Sequence, residues 1–573
     1  MDLQEGRGEP PGGASAGWLR QKLVSAGPAL VLAALALVLT TRGIGDGGFR
    51  SSDASRHALD GVFIRDVVAD LPGSILHPMD YVLRYYAKYP SLGIVLYYPP
   101  FFAMVEAAFF AVFGISAFTA RLTVVAFAVV AAVMMYKLVK AMTAPAAAFL
   151  STALFLSLPT VVFWSRQVML EMPTTAMILT ATYFFYKYAE LGQRPSALWA
   201  AIFSVLAVMT KQPALFILPA FLLHLVIRRR WECWKHWQLW VGTVIIATVL
   251  IPYFWLSFRH AHYLIRMIGG GPAVMWHKFH SVLTGWRESM GLPLLIAFAL
   301  AGTACAAWQW VRPRVAGTWL LLVLLVTFFM ESVYLGAGVV RYVFIALPFF
   351  ASLIPLLLHR TGLLSRRWVV AVLILPVLVL AGVSYAHRVP VKRGHGEAAR
   401  ALVERSSPNG IVLFDGYWDG DVVFFTRQHD PSRRVRLLRG SKMLYTYASF
   451  DQIGYQDRLT TREEIWKFIE DYGISAIAVE DNPRYVRNKL PARLLREFLQ
   501  ADERFELVWS RDVTDLGEDL NGVKILLYAV RNPRRLTARE LLIPMTGLEM
   551  MIRVPLDDQG EASIVHMPRD KPK

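Results

Sequence analysis

The sequence predicts a mainly α polytopic membrane bundle, about eleven transmembrane helices plus juxtamembrane helices, followed by an extracytoplasmic α/β domain. Three observations predict it. Apolar stretches of near-spanning length recur between residues 24 and 385, polar residues gather in a few of the loops between them, and beyond Tyr385 amphipathic helices alternate with strands. Composition agrees, since 55% of the 573 residues are hydrophobic, 18% are charged and mean hydropathy is +0.41, outside the soluble range.

Taken in order, residues 1–20 are Gly- and Pro-rich and read as a disordered cytoplasmic tail. The run 24–41 follows Arg20 and Lys22 and lacks a small-residue cleavage pattern, so it reads as a retained anchor. Further apolar stretches span 98–115, 119–137, 145–163, 173–189, 196–210, 213–227, 237–256, 291–309, 318–335, 341–358 and 368–385. If all of them crossed, Arg228-Arg229-Arg230, Arg312 with Arg314, and Arg360 with Arg366 and Arg367 would face outward, against the positive-inside rule. Leaving 98–115 at the outer interface turns all three clusters inward. Glu106 within that stretch supports the choice, because a charge near the bilayer centre costs roughly 2.5–3.5 kcal/mol. The net charge of +17 thus lies in short loops as an orientation signal, which excludes a nucleic-acid footprint. Cys233 and Cys305 lack partners at disulfide or zinc spacing.

This parity implies a transmembrane domain over 21–389 with a first outer loop at 42–118, an extracytoplasmic α/β domain over 390–545 and a tail over 546–573. In the last domain HGEAARALVERS, TREEIWKFIEDYG and PARLLREFLQ read as helices, and GIVLFDG, DVVFFTR, ISAIAVED, FELVWSRDV and VKILLYAVR as strands. The first outer loop is the informative stretch. In SSDASRHALDG the residues Asp53, Arg56, His57 and Asp60 share one helical face behind a Ser51-Ser52 cap, and Tyr97-Tyr98-Pro99-Pro100 restarts the chain. Four further features join it on the outer side: Ser165 to Glu171, Thr210-Lys211-Gln212-Pro213, the loop from Ser257 to Met290, and Arg341-Tyr342. His260 with His262, and His277 with His280, lack the spacing of a helical zinc site.

Read together, SSDASRHALDG, YYPPFF, FGISAFTARL, SLPTVVFWSRQVMLEMPT, LAVMTKQPALFILP and RYVFIALP resemble the C-type glycosyltransferase superfamily, especially bacterial protein O-mannosyltransferases and lipid A aminoarabinose transferase. The resemblance covers most of residues 24–358. It implies a multi-pass enzyme of the cytoplasmic membrane that moves a sugar from a polyprenyl-phosphate carrier to a protein, lipid or glycan acceptor at the outer face. Asp53 matches the first-loop catalytic aspartate, although Ala54 stands where the family commonly has a second carboxylate, which leaves the acceptor and any divalent-metal assistance open. Glu171 matches the second-loop carboxylate, Lys211 the lysine beside the carrier phosphate, and Arg341 the late Arg-Tyr motif.

The chemistry explains the residue types. A carboxylate with an ordinary pKa of about 3.9 is ionised at neutral pH and can take the acceptor proton, giving inverting displacement. Asp53 is the expected base with Glu171 beside it, Lys211, Arg56, Arg166 and Arg341 are expected around the leaving phosphate, and His57, Tyr97 and Tyr98 line the substrate. Blander roles stand beside these: Asp53 as a helix cap, Glu171 paired with Arg166 across a turn, Lys211 snorkelling to headgroups, Arg341 as an interfacial anchor. A secondary transporter or lipid flippase, or an inactive relative acting as scaffold, is the alternative class; a transporter would favour midplane charges and internal repeats.

Overall fold

The computed structural model describes residues 13–93, 98–267, 272–311, 316–335, 340–407, 409–447, 455–515, 520, 522–545, 550–556 and 560–566. Helix α1 (Gly13–Thr41) leads into three helices of the first loop, α2 (Ser52–Ala69), α3 (Gly73–Leu76) and α4 (Pro78–Lys88). After Pro99-Pro100 comes α5 (Phe101–Phe113), whose 13 residues rise only about 20 Å, short of a hydrocarbon core of about 30 Å. It packs along α2.

The bundle continues through α6 (Ala117–Met142), α7 (Pro145–Ser157), α8 (Pro159–Ser165), α9 (Glu171–Ala189), α10 (Ser196–Val208), α11 (Ile217–Ile227), α12 (Trp237–Met267), α13 (Pro272–Met290), α14 (Leu292–Val311), α15 (Ala316–Leu335), α16 (Leu347–Arg360) and α17 (Arg367–Ala386). Every apolar stretch is therefore helical, and the chain is a multi-pass membrane protein. The described helices do not by themselves fix the count of spans. Among the described residues five helices are long and apolar enough to cross alone, and α7 with α8, bent by 65°, makes a sixth. Shorter apolar helices accompany them, among them α5 with 13 residues, α10 with 13 and α11, which follows a 3₁₀ turn at Pro213 (Gln212–Phe216). Within Ser257 to Met290, expected as a loop, α12 runs on to Met267 and α13 covers Pro272–Met290.

Beyond α17 the chain forms β1 (Lys392–Arg393), α18 (His395–Arg405), β2 (Ile411–Asp415), α19 (Asp419–His429), β3 (Arg436–Arg439), α20 (Gly440–Met443), β4 (Tyr445–Thr446), β5 (Gln456–Asp457), α21 (Arg462–Asp471), β6 (Ile474–Asp481), α22 (Pro483–Val486), α23 (Leu490–Ala501), β7 (Phe505–Asp512), β8 (Thr514–Asp515) and β9 (Lys524–Val530). The main sheet has the order β3-β2-β6-β9-β7, with β3, β2 and β6 parallel and β9 antiparallel to both neighbours. DVVFFTR, expected as a strand, is the middle of α19. Residues 419–427 are buried on every side, so the helical period leaves no polar face to betray it, while Asp419 and Asp421 in the first turn suit a helix N-terminus.

The stretch expected as a tail carries strands as well. β10 (Glu540–Met545), β11 (Met550–Pro555) and β12 (Ser563–His566) form an antiparallel meander. It grips α4: Asp80 accepts from the Ala562 amide at 2.7 Å, and Arg84 donates to the Gly560 carbonyl.

Candidate active site

Helix α2 begins where its sequence says it should. Ser51 has extended backbone, and its Oγ accepts from the Ala54 amide at 3.4 Å. That cap sets Asp53 in the first turn. Arg341 Nη1 donates to Asp53 Oδ2 at 2.8 Å, and Arg56 Nη1 lies 3.7 Å from Oδ1. Burial alone would push the Asp53 carboxyl up, but Arg56 and Arg341 outweigh it and hold it down at about 2. His57, next on the face, is buried and pushed down to about 4, so it is neutral at physiological pH. The Tyr98 ring meets it edge-on at 4.7 Å. Gly93 makes this approach feasible, because a Cβ there would lie 2.1 Å from Tyr98 Cδ2 and 2.8 Å from Arg56 Cδ.

The bundle supplies the other half. Glu171 opens α9 and Lys211 sits at the break after α10, where Lys211 Nζ donates to Glu171 Oε1 at 2.7 Å. Glu171 Oε2 is buried with no hydrogen-bond partner among the described residues. The Phe101 amide donates to the Met209 carbonyl at 2.9 Å, which ties the start of α5 to this break. Tyr342 lies under both cations, its ring 5.0 Å from Lys211 Nζ and 5.6 Å from the Arg341 guanidinium. Arg341 feels both Glu171 and Asp53, and His57 feels Asp53, Glu171 and Lys211. Asp53, Arg56, His57, Tyr98, Glu171, Lys211 and Arg341 therefore converge from separate elements, with Arg341 bonded to Asp53 across 288 positions.

Two expected members remain. Tyr97 lies outside the described residues. Arg166 is turned away: its Nε donates to the Leu39 carbonyl at 2.8 Å and its Nη1 to the His387 carbonyl at 2.6 Å, fastening the ends of α1 and α17. Glu171 accordingly pairs with Lys211, not across the turn with Arg166. As to metal, no group of three His, Cys, Asp or Glu among the described residues could hold an ion. Asp53 and Glu171 each face a cation already, a donor set that does not fit a divalent metal.

Sequence reasoning missed two contributors. Glu331 on α15 is fully buried, with Ser332 Oγ 3.5 Å away and Lys211 within electrostatic reach. An acidic residue inside an apolar run was the available signal. Arg121, in the FTARL motif, donates to the Ile44 carbonyl at 3.1 Å and to the carbonyls of Asp46 and Gly48, and so fixes the chain entering α2.

The far end of α2 is held by the α/β domain. Asp66 receives both Arg427 Nε and Nη2 at 2.8 Å, and the Tyr85 hydroxyl at 2.7 Å. Nearer the site, Gly420 abuts α2 so closely that a Cβ would lie 2.9 Å from Ser55 Oγ. Beside it burial pushes the Asp421 carboxyl up to about 6, against the pull of His395. The folded chain thus holds that proton more tightly than the unfolded chain, and stability falls as pH rises from 3.8 through about 6. Asp421→Asn is expected to raise the melting temperature at about pH 7.5 while leaving it nearly unchanged below about pH 4, read by scanning fluorimetry.

Comparison with known proteins agrees with this architecture. Residues 98–255 match the family model for dolichyl-phosphate-mannose-protein mannosyltransferase. No curated protein sequence matches the chain. Among solved structures, ArnT from Cupriavidus metallidurans bound to undecaprenyl phosphate superposes with a TM-score of 0.54 at 13% identity, over 89% of this chain and 99% of that one. Its apo form gives 0.56 at 13% identity, over 91% and 99%. The Archaeoglobus fulgidus oligosaccharyltransferase tethered with an acceptor peptide containing the NVT sequon gives 0.51 at 12% identity, over 80% and 69%. These are C-type glycosyltransferases, so the resemblance read from the outer-loop motifs holds at the level of the fold.

Proposed function

We propose that this chain, which has the C-type glycosyltransferase fold, transfers a sugar from a polyprenyl-phosphate carrier to an acceptor at the extracytoplasmic face of the cytoplasmic membrane. The observation that carries the reading is the convergence of Asp53 with Arg341 and of Glu171 with Lys211 where α2 meets the bundle. The undecaprenyl phosphate bound by the C. metallidurans protein of the same fold supports a carrier of that class.

In the proposed reaction the acceptor oxygen forms a bond to the anomeric carbon while the bond from that carbon to the carrier phosphate breaks with its electron pair. The acceptor proton passes to Asp53, and the carrier leaves as polyprenyl phosphate, with inversion at the sugar. At a pKa of about 2, Asp53 is a weak base while Arg56 and Arg341 face it. An arriving phosphate competes for Arg341, and each contact Arg341 gives up makes Asp53 more basic when the donor is in place. Lys211 and Arg341 then stabilise the charge growing on the leaving phosphate, where preorganised cations count most. His57, uncharged, and Tyr98 contribute packing and hydrogen bonding to the sugar.

Lys211→Ala is expected to lower transfer about 100-fold, because one preorganised electrostatic donor is typically worth 10²–10³ in rate. Steady-state kinetics with purified protein check it. The reading as a whole is tested by incubating the purified chain with radiolabelled polyprenyl-phosphate sugars and membrane extract. Label leaving the lipid phase supports transfer; label crossing a liposome bilayer unconsumed would make the chain a transporter.

A further inference from the structure

The turn between α9 and α10 walls a cavity. It lies at the end of α9 away from Glu171, and at 1.5 Å per residue the 19-residue helix sets it about 27 Å off, close to the roughly 30 Å of a hydrocarbon core. The cavity therefore sits at the membrane face opposite the candidate active site. It measures about 560 Å³, and Phe184, Lys187, Gln193, Arg194, Ser196 and Trp199 are among the residues that line it. Gly192, at φ +68°, turns the chain, and the Gln193 amide closes back onto the Lys187 carbonyl at 3.0 Å. Two of the lining side chains are cations without an anion: Lys187 and Arg194 make no ion pair among the described residues. Glu190, three positions beyond Lys187, is buried and occupied, since His224 Nε2 lies 3.0 Å from its Oε1, Arg228 Nε donates there at 3.4 Å and Arg230 holds Oε2. The Lys187 ammonium lies 5.3 and 5.9 Å from the Tyr183 and Phe184 rings, contacts that steady it and leave its charge unneutralised. From the cavity an aromatic ladder runs along the helix pair. Phe184 and Phe203 stack at 5.6 Å, and Trp199, 50% exposed, leans on them at 6.1 and 6.2 Å.

We propose that this cavity seats an anionic phospholipid, with the phosphate held by Lys187 and Arg194 and an acyl chain lying along Phe184, Trp199 and Phe203. A soluble anion would engage the two cations and leave the aromatic ladder uncovered; an amphiphile of opposite charge covers both, and the chain offers them side by side at the depth where headgroup meets acyl chain. Charge decides between lipids. A zwitterionic headgroup brings its own cation to a seat that already has two, whereas a phosphodiester with an uncharged alcohol brings the missing anion. The helix pair that the lipid would brace carries Glu171 at its other end and leads directly into the break at Lys211, so the seat steadies that ion pair from across the membrane. It does so whatever the chain transfers.

The test measures binding to the full-length protein in a neutral detergent, with dioctanoyl phosphatidylglycerol as the anionic lipid, dioctanoyl phosphatidylcholine as the zwitterionic one and glycerol phosphate as the headgroup without chains. Wild type is expected to prefer phosphatidylglycerol over both. The double variant Lys187→Gln, Arg194→Gln should weaken phosphatidylglycerol about 30-fold, near fivefold for each cation, and bring it level with phosphatidylcholine. Exchanging the cations, Lys187→Arg with Arg194→Lys, should restore most of the affinity, which separates lost charge from lost folding. Trp199→Ala should weaken the lipid and leave glycerol phosphate as it was. Lys211→Ala should leave phosphatidylglycerol binding unchanged, which places the lipid at the turn and not at the candidate active site. The seat is overturned if wild type binds the two lipids alike, if the double variant binds phosphatidylglycerol as wild type does, or if Lys211→Ala abolishes binding. Glycerol phosphate binding as tightly as phosphatidylglycerol would overturn the lipid assignment and make the cavity a site for a soluble phosphate.

Discussion

Asp53→Asn is expected to lower sugar transfer about 1,000-fold, within the 10²–10⁴ that a positioned base contributes. The substitution keeps the shape of the side chain and an oxygen for Arg341, so donor binding should hold within about threefold while kcat falls, the pattern of an interaction made only in the transition state. It also removes the charge that Arg56 and Arg341 share. Because the folded carboxyl is held near 2, below its ordinary 3.8, ionised Asp53 contributes stability above pH 3.8 that is lost as pH falls through about 2. Asp53→Asn forfeits that contribution at neutral pH, so a modest drop in melting temperature should accompany the loss of rate. The same carboxyl stays charged in the free protein across the working range. An acid limb in kcat/KM between about pH 5 and 7 would then belong to another group, whereas one in kcat could report Asp53 once the donor has drawn Arg341 away. Near-normal transfer by the folded variant would defeat the assignment.

What the sequence disclosed, and what it hid, follows from how local each signal is. The cap at Ser51 and the shared face of Asp53, Arg56 and His57 depend on a few consecutive residues, and the structure realises both. Lys211 beside a Pro-broken helix was visible for the same reason. The partner of Glu171 was not, since Arg166 is five positions away and Lys211 forty, and only the packing of α10 on α9 decides between them. Arg166 illustrates the converse: charge in the right loop says nothing of which way a long side chain turns. Helix α19 was mistaken for a strand because a segment buried all round shows no period. The number of spans is less legible, because hydropathy registers apolar runs and not the Pro breaks and short helices that divide them.

The second large effect is expected far from the chemistry, at Arg427. Its guanidinium makes a two-pronged contact with Asp66, the side chains being 2% and 1% exposed, and the Tyr85 hydroxyl completes the cluster. Arg427→Met leaves Asp66 charged and buried with only the half-exposed Arg65, its Nη1 3.0 Å from Oδ1, as counter-charge, so the loss should fall somewhat below the roughly 3–5 kcal/mol typical of a fully uncompensated buried charge. The doubly substituted Asp66→Leu, Arg427→Met chain should recover most of that loss, because an apolar pair in the same volume is often neutral, less what the orphaned Tyr85 hydroxyl costs. Denaturation of the four members of this cycle in one detergent measures the coupling. Arg400→Ala, which breaks an exposed pair with Glu404, serves as a control expected to leave stability nearly unchanged. The location gives the loss a catalytic consequence. Asp66 and Asp53 lie on one helix, so a domain that releases the far end of α2 frees the near end to tilt, and an error of about 1 Å at the base can cost 10²-fold in rate. Arg427→Met should therefore lower kcat more than it raises KM for the donor, since Glu171, at the start of α9, and Lys211, at the break after α10, belong to the bundle and not to the clamp. A variant that melts early yet turns over normally below its transition would show that α2 is held by the bundle alone.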